Sequence, residues 1–162
     1  MPLSLSRTPD GLRVEVIRRI DAPVETLWDL LTDTTRWSEW GPNVREVDCE
    51  ERYIREGTTG RVRLAVPGGP WAPFEITACR DHRWAWSVGM PATDAVRNAL
   101  DVGPRVPATG HRVEPAGDAC RVVFEIPPLA SGYALVCRRA LDRLEELAAD
   151  ERSGGGGRGD RG

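Results

Sequence analysis

Few side chains in this sequence could do chemistry at neutral pH, and the strongest candidate is a histidine in a strand-like segment. His111 alternates with Val113, so both should point to the same face of a strand. The ordinary pKa of histidine lies near neutrality, and an inward-facing His111 could therefore act as a general acid or base. Two other roles stay open, orienting a ligand or simply completing the core, because no second group is identified to orient the ring.

Tyr133 is the second polar candidate, because it falls on the apolar stripe of a predicted C-terminal helix. If its hydroxyl is buried it needs a partner, which could be His111, a water molecule or a ligand oxygen. Tyr53 and Glu51 could also reach an interior cavity from the second strand. Alternation along a strand cannot bury both Glu50 and Glu51, so a carboxylate pair for acid–base catalysis is not supported.

Tryptophan is unusually frequent, with six among ten aromatic residues. Such side chains could line a cavity for a flat or apolar ligand, since ligand sites are mostly apolar and aromatic. For Trp28 and Trp37, which adjoin a helix-to-sheet contact, filling the core is the favoured interpretation. For Trp84 and Trp86 the two interpretations are equally open. Trp71, within a Gly-Pro loop, is interpreted as a flap at the entrance.

Composition and charge argue against several classes of function. The net charge is −3, and the strand arginines fall opposite the apolar residues, which predicts a solvated outer face with Glu75, Glu114 and Glu125 as cross-strand partners. We therefore expect no nucleic-acid partner. No apolar run approaches the ~20 residues of a membrane span and no signal peptide is evident, so a cytoplasmic location is expected. The four cysteines lack the spacing of a zinc site, and we expect no metal, no cofactor and no disulfide.

The order of elements predicts an α+β domain over residues 12–150, preceded by a polar leader (1–11) and followed by a disordered Gly/Arg-rich tail (151–162). A strand at 12–20 precedes a helix with apolar residues at Val24, Leu27, Trp28 and Leu31, and then a second short helix at 34–39. Strands follow at 44–54, 61–66, 74–80, 83–88, 110–114 and 120–126. The turns are too short for crossover helices, so the sheet should be antiparallel. Residues 89–108 are predicted to form a mobile loop or lid, and 129–149 the longest helix.

Several of these segments resemble one superfamily. Residues 20–33 and the tryptophan-rich 37–47 resemble the opening of SRPBCC (START-like or Bet v-like) proteins, as do 110–115 and 117–125. The resemblance covers about residues 12–149 and is closest to the polyketide cyclase/dehydrase branch. It implies a helix-grip fold, in which a curved antiparallel sheet wraps around a long C-terminal helix and two short helices follow the first strand. The Pro-rich insertion at 91–107 departs from the family and could reshape the cavity mouth.

Three functions follow, in order of preference. The first is binding or transport of an apolar small molecule, such as a lipid, an isoprenoid or an aromatic polyketide, by a monomer or weak homodimer. The second is a cyclase or dehydratase in which His111 and Tyr133 transfer protons, and the third is a protein-docking module that uses the loops at 67–73 and 91–107. The predicted ligand-binding residues are Trp40, Tyr53, Leu64, Trp71, Phe74, Ile76, Trp84, Trp86, His111, Val113, Phe124, Tyr133 and Cys137.

Overall fold

The computed structural model of the protein describes residues 3–89 and 105–155. Within these residues the chain forms strands β1 Leu3–Thr8, β2 Gly11–Ile20, β3 Val44–Asp48, β4 Thr59–Leu64, β5 Trp71–Arg80, β6 Arg83–Gly89, β7 Arg105–Ala116 and β8 Ala119–Ile126. All eight belong to one antiparallel sheet with the spatial order β1-β2-β8-β7-β6-β5-β4-β3. The predicted antiparallel sheet is therefore confirmed.

The helices lie in two places along the chain. Between β2 and β3 are α1 Val24–Thr32, a 3₁₀ turn Thr34–Arg36 and the short α2 Trp37–Trp40. After β8 come a 3₁₀ segment Pro128–Tyr133 and the long α3 Ala134–Gly155. Buried positions recur along α3 with helical spacing, so one stripe of this helix packs in the core: Cys137, Ala140, Leu141, Leu144 and Ala148. This is the helix-grip arrangement, and the predicted fold class is confirmed.

The amino terminus differs from the prediction of a leader outside the domain. Leu3–Thr8 is the edge strand of the sheet and pairs with β2 from Leu3 opposite Val16 to Thr8 opposite Gly11. Gly11 has a φ of +99°, a conformation that favours glycine, so the chain can reverse tightly there. Asp10 in the same turn bonds the guanidinium of Arg83 at 2.6 Å, which fixes the hairpin to the sheet.

The C-terminal helix begins and ends later than predicted. Pro127 and Pro128 precede a 3₁₀ segment instead of an α-helix, and Leu129, placed by the sequence on the buried stripe, is fully exposed. The helix then continues to Gly155, into the predicted tail. Ion pairs of Arg152 with Asp21 and of Glu151 with Arg36 hold its last turns against the α1 region. Residues 156–162 of the predicted tail lie outside the described residues.

Both ends of the predicted loop at 89–108 belong to strands in the structure. Gly89 is the last residue of β6, and β7 already begins at Arg105, five residues before its predicted start at 110. The predicted 91–107 insertion therefore includes the beginning of β7. Its remaining part, residues 91–104, lies outside the described residues.

The outer face of the sheet is less solvated than the sequence predicts. Glu125 is only 1% exposed, and its carboxylate accepts a hydrogen bond from Nε of Arg83 at 2.9 Å. Nη1 of Arg112 donates at 3.0 Å to Glu15, which is also buried. Gly110 lies opposite Glu125, and a Cβ there would be 2.8 Å from Oε2 of the carboxylate. The absence of a side chain at Gly110 therefore makes room for this buried ion pair.

Truncation of the buried stripe of α3 should destabilise the fold. Leu144 is fully buried and Leu135 on the same helix is 65% exposed. We expect Leu144→Ala to lower the free energy of unfolding by about 2–5 kcal/mol, the usual cost of a core cavity. Leu135→Ala should change it by no more than about 0.5 kcal/mol. Urea denaturation followed by circular dichroism measures both, and equal effects would contradict the assigned helix face.

Candidate ligand-binding site

A stack of aromatic rings joins α2 to the centre of the sheet. Trp84 of β6 lies directly opposite His111 of β7, and His111 lies opposite Phe124 of β8. The rings of Trp84 and His111 stack with centroids 3.9 Å apart, and the edge of Phe124 meets His111 at 4.7 Å. Trp37 of α2 stacks nearly parallel on Trp84 at 5.3 Å. We call Trp37, Trp84, His111 and Phe124 the aromatic stack.

The indole N–H groups of α2 donate hydrogen bonds to the last carbonyls of α1. The last carbonyls of an α-helix have no partner within the helix and need donors from elsewhere. Nε1 of Trp37 donates to the carbonyl of Leu31, and Nε1 of Trp40 donates to that of Leu30, each at 2.9 Å. The same two residues therefore end one helix and fill the space above the sheet.

His111 is a buried, neutral member of the stack. It is 3% exposed, and Nε2 is 3.1 Å from the hydroxyl of Thr109, which also accepts from Nε1 of Trp86. Burial lowers the pKa of His111 to about 3, and the positive charge of Arg83 acts in the same direction, while a backbone contact with Trp84 offsets part of the shift. The ring carries no extra proton at neutral pH, so it is neither a proton donor there nor a base matched to that pH.

Tyr133 ends the 3₁₀ segment and is hydrogen-bonded to a residue of the loop before β3. Its hydroxyl accepts a hydrogen bond from Nδ2 of Asn43, in the loop between α2 and β3. Burial raises the pKa of Tyr133, the nearby Cys137 adds to this, and the bond from Asn43 opposes it. Tyr133 therefore stays a neutral phenol. In the described part of the chain no hydrogen bond joins Tyr133 to His111, although both face the same space.

Two adjoining spaces lie between the sheet and the helical layer. The inner cavity, about 30 Å³, is bordered by His111, Trp84 and Tyr133. The outer cavity, about 520 Å³, lies between the inward faces of β4 and β6 and the 3₁₀ segment. The outer cavity is lined, among the described residues, by Arg13, Asn43, Val44, Val62, Leu64, Trp86, Val88, Thr109, Ile126, Pro127, Leu129, Ala130 and Tyr133. Asn43, Val44, Trp86, Thr109 and Tyr133 border both spaces.

The structure brings eight of the thirteen predicted ligand-binding residues to these cavities. Leu64 lines the outer cavity, and Trp86 and Tyr133 line both. Five more line the inner cavity: Trp40, Trp84, His111, Phe124 and Cys137. Phe74, Ile76 and Val113 face inward as predicted, but they are packed in the core and line neither cavity.

Tyr53 and Trp71 lie away from the cavities, against prediction. Strand β3 ends at Asp48, so Tyr53 is not part of that strand; it bridges Asp33, and its half-exposed ring lies under the guanidinium of Arg52. Trp71 is the first residue of β5, where Ala72 takes the inward position. Its ring therefore faces outward, with the Arg61 guanidinium 4.5 Å from its centroid. It is not a flap at the entrance.

Apart from Tyr133, the polar groups of the outer cavity were not predicted from the sequence, and Val62 and Val88 were not included among the predicted ligand-binding residues. Val62 and Val88 share the inward faces of Leu64 and Trp86, so alternation alone could have added them. Thr109 precedes the segment that was interpreted as a strand, and Asn43 was interpreted only as part of a turn. Arg13 is not among the residues that the sequence singles out. In the described ranges no helix is long and apolar enough to span a bilayer, and no three metal-ligating side chains converge.

The fold defines a helix-grip protein, with a cavity between the sheet and the helical layer. Residues 11–149 match the family described as polyketide cyclase/dehydrase and lipid transport, and the chain belongs to this family. The resemblance predicted from the sequence is confirmed. Membership places the function in the broad class of hydrophobic-ligand binding or cyclase chemistry. No protein of curated function matches the sequence.

Solved structures share the fold at low sequence identity. Protein Ms6760 from Mycobacterium smegmatis is 19% identical with a TM-score of 0.59, over 90% of this chain and 96% of that chain. Ara h 8.0201 is 10% identical with a TM-score of 0.60, over 85% and 97%. DynU16, a protein from the dynemicin biosynthetic locus, is 18% identical with a TM-score of 0.59, over 83% of this chain and 46% of that one. These similarities support the fold alone.

The buried state of His111 should make the protein sensitive to acid. Its pKa is lowered from an ordinary 6.5 to about 3 on folding. The contribution of neutral His111 to the free energy of unfolding is therefore fully present above pH 6.5, and it is lost as the pH falls toward 3. Between pH 7.5 and pH 5 the loss should be about 2 kcal/mol. His111→Gln keeps a group that can bond Thr109 but cannot titrate, so its unfolding free energy should fall by about 2 kcal/mol less over this interval. Urea denaturation at both pH values tests this, and identical pH dependence in the two proteins would refute it.

Proposed function

We propose that the protein binds or carries an apolar small molecule, such as a lipid, an isoprenoid or an aromatic polyketide, in the outer cavity. The observation that carries the proposal is the cavity itself, about 520 Å³ with mainly aliphatic and aromatic walls. Ligand pockets measure roughly 300–1,000 Å³ and combine apolar walls with a few placed polar groups. Asn43, Thr109 and Tyr133 are such groups, so the cavity is suited both to bury an apolar body and to orient it.

Binding is preferred to turnover because the candidate proton-transfer groups are otherwise engaged. His111 is neutral, buried against Trp84 and bonded to Thr109. Tyr133 is bonded to Asn43. A general acid–base mechanism needs one group poised to take a proton and another to give it near the operating pH. Neither residue meets that condition in this arrangement.

A cyclase or dehydratase is the second candidate, and one observation favours it. His111 and Tyr133 both border the inner cavity, so a reactive chain extending inward from the outer cavity would meet both side chains. In that case Tyr133 would donate a hydrogen bond to a substrate oxygen while the apolar walls exclude water. Substitutions distinguish the candidates: Tyr133→Phe would abolish turnover in an enzyme, whereas in a carrier it would change only affinity.

The first experiment is native mass spectrometry of the purified protein, followed by denaturing extraction of any bound small molecule. A stoichiometric apolar ligand supports binding and supplies a compound to test for turnover. A protein that stays empty after incubation with mixed lipids and aromatic polyketides would contradict both cavity functions. That outcome would favour the docking-module alternative.

Filling the outer cavity should prevent binding without unfolding the protein. Leu64 and Val88 line the cavity. We expect the double variant Leu64→Trp/Val88→Trp to weaken binding of the neutral dye Nile red by at least about tenfold, because the added rings occupy the ligand's volume. The matched control is Leu5→Trp/Val66→Trp, at two exposed positions outside the cavity, and it should bind as the wild type does. Fluorescence titration measures both. Unchanged affinity in the first variant would locate the binding site elsewhere.

A further inference from the structure

Most polar side chains around the outer cavity are engaged with one another. Nε1 of Trp86 donates to the hydroxyl of Thr109 at 3.2 Å, and the same hydroxyl bonds Nε2 of His111 at 3.1 Å. Nδ2 of Asn43 donates to the hydroxyl oxygen of Tyr133. A phenol also has one hydrogen of its own to donate. The hydroxyl hydrogen of Tyr133 has no acceptor among the described residues, so this donor is available to a ligand.

The hydroxyl of Tyr133 lies at the boundary of the two cavities. Tyr133 and Asn43 come from different segments of the chain, and both residues border the outer and the inner cavity. Burial raises the pKa of Tyr133, so the phenol keeps its hydrogen at neutral pH. A molecule that occupies the outer cavity would therefore meet this donor at its inner end.

A ligand that fills the outer cavity must take water away from the hydroxyl of Tyr133. A pure hydrocarbon would leave the donor without a partner, and a buried donor in that state is costly. A ligand with an accepting oxygen atom at this point would replace the displaced water, and the hydrogen bond would be kept. The cavity therefore favours a molecule that is apolar along its body and carries an acceptor at its inner end.

The charges around the outer cavity indicate that this acceptor is neutral. Arg13 is the only charged residue in the described lining. The unbroken pairing of β2 puts Arg13 on the same face as Glu15, the outer face of the sheet, and its Nη1 donates to a backbone carbonyl of the hairpin. An anion removed from water needs a paired cation, which the hydroxyl of Tyr133 does not supply. A carbonyl oxygen needs only a hydrogen-bond donor.

On the basis of the proposed function, we infer that the ligand carries a neutral carbonyl oxygen that accepts a hydrogen bond from the hydroxyl of Tyr133. Apolar ketones, quinones and esters belong to this class. The apolar walls supply most of the affinity, because they cover the body of the ligand. Tyr133 supplies specificity, because it distinguishes a carbonyl compound from a hydrocarbon of the same shape.

The test compares 2-acetylnaphthalene with 2-isopropenylnaphthalene, in which a methylene group replaces the carbonyl oxygen. Displacement of Nile red at pH 7.5 measures both affinities. We expect Tyr133→Phe to weaken binding of the ketone by about fivefold, the usual scale of one net hydrogen bond. The variant should keep its affinity for the alkene, which also shows that it is folded. Tyr53→Phe is the matched control, because Tyr53 is the other tyrosine of the chain and is half exposed, and it should bind both compounds as the wild type does.

A third compound, 2-naphthoate, tests the charge of the acceptor. It presents a carboxylate on the same ring system and is ionised at pH 7.5. We expect the wild type to bind it at least about tenfold more weakly than the ketone, because the buried charge would have no paired cation. Tighter binding of 2-naphthoate than of 2-acetylnaphthalene would overturn the assignment to a neutral carbonyl.

The remaining outcomes separate this inference from the proposed function. If Tyr133→Phe binds the ketone as the wild type does, or loses affinity for the ketone and the alkene equally, the role of Tyr133 is overturned and the proposed function stands. If the wild type binds neither Nile red nor either neutral naphthalene compound, the proposed function is contradicted, and the inference with it.

Discussion

The contact of Trp37 with Trp84, continued by His111 in the sheet, sets the distance between the helical layer and the strands. Stacked rings cannot be compressed, because protein interiors are already close to crystal packing density. Where this stack lies, the space between α2 and the sheet is filled except for the small inner cavity. Toward β4 the inward side chains are the shorter Val62 and Leu64, and the space between the layers stays open. One packing contact therefore closes one end of the protein and leaves the other as the cavity.

Charged side chains on the outer face of the sheet are paired with one another. On the outer face Arg83, Arg112 and their carboxylate partners form a partly buried network in which positive and negative groups alternate. Buried charges are tolerated when they are paired and hydrogen-bonded. The charges of the outer network are thus paired within the described residues.

Much of the fold could be predicted from the sequence, but less of the site could. Alternation of apolar residues identifies the strands, and the stripe of α3 identifies the closing helix. The edge strand β1 was missed because its leucines at positions 3 and 5 are exposed, and so give no buried face to detect. Trp71 was misplaced because its strand begins earlier than its apolar pattern suggests. Thr109 could not be found, because the strand that carries it begins at Arg105, earlier than the alternation of apolar residues indicates.

The hydrogen bond between Asn43 and Tyr133 has a consequence for ligand length. These two residues come from different segments and border both cavities, so their bond lies where the outer cavity meets the inner one. A short ligand can fill the outer cavity and leave the bond intact. A longer ligand must break it before reaching His111, and buried polar groups left unpaired are costly. For a ligand bound as proposed, the pair would set a limit on length, because each further carbon atom would gain affinity until the ligand meets this bond and not beyond it.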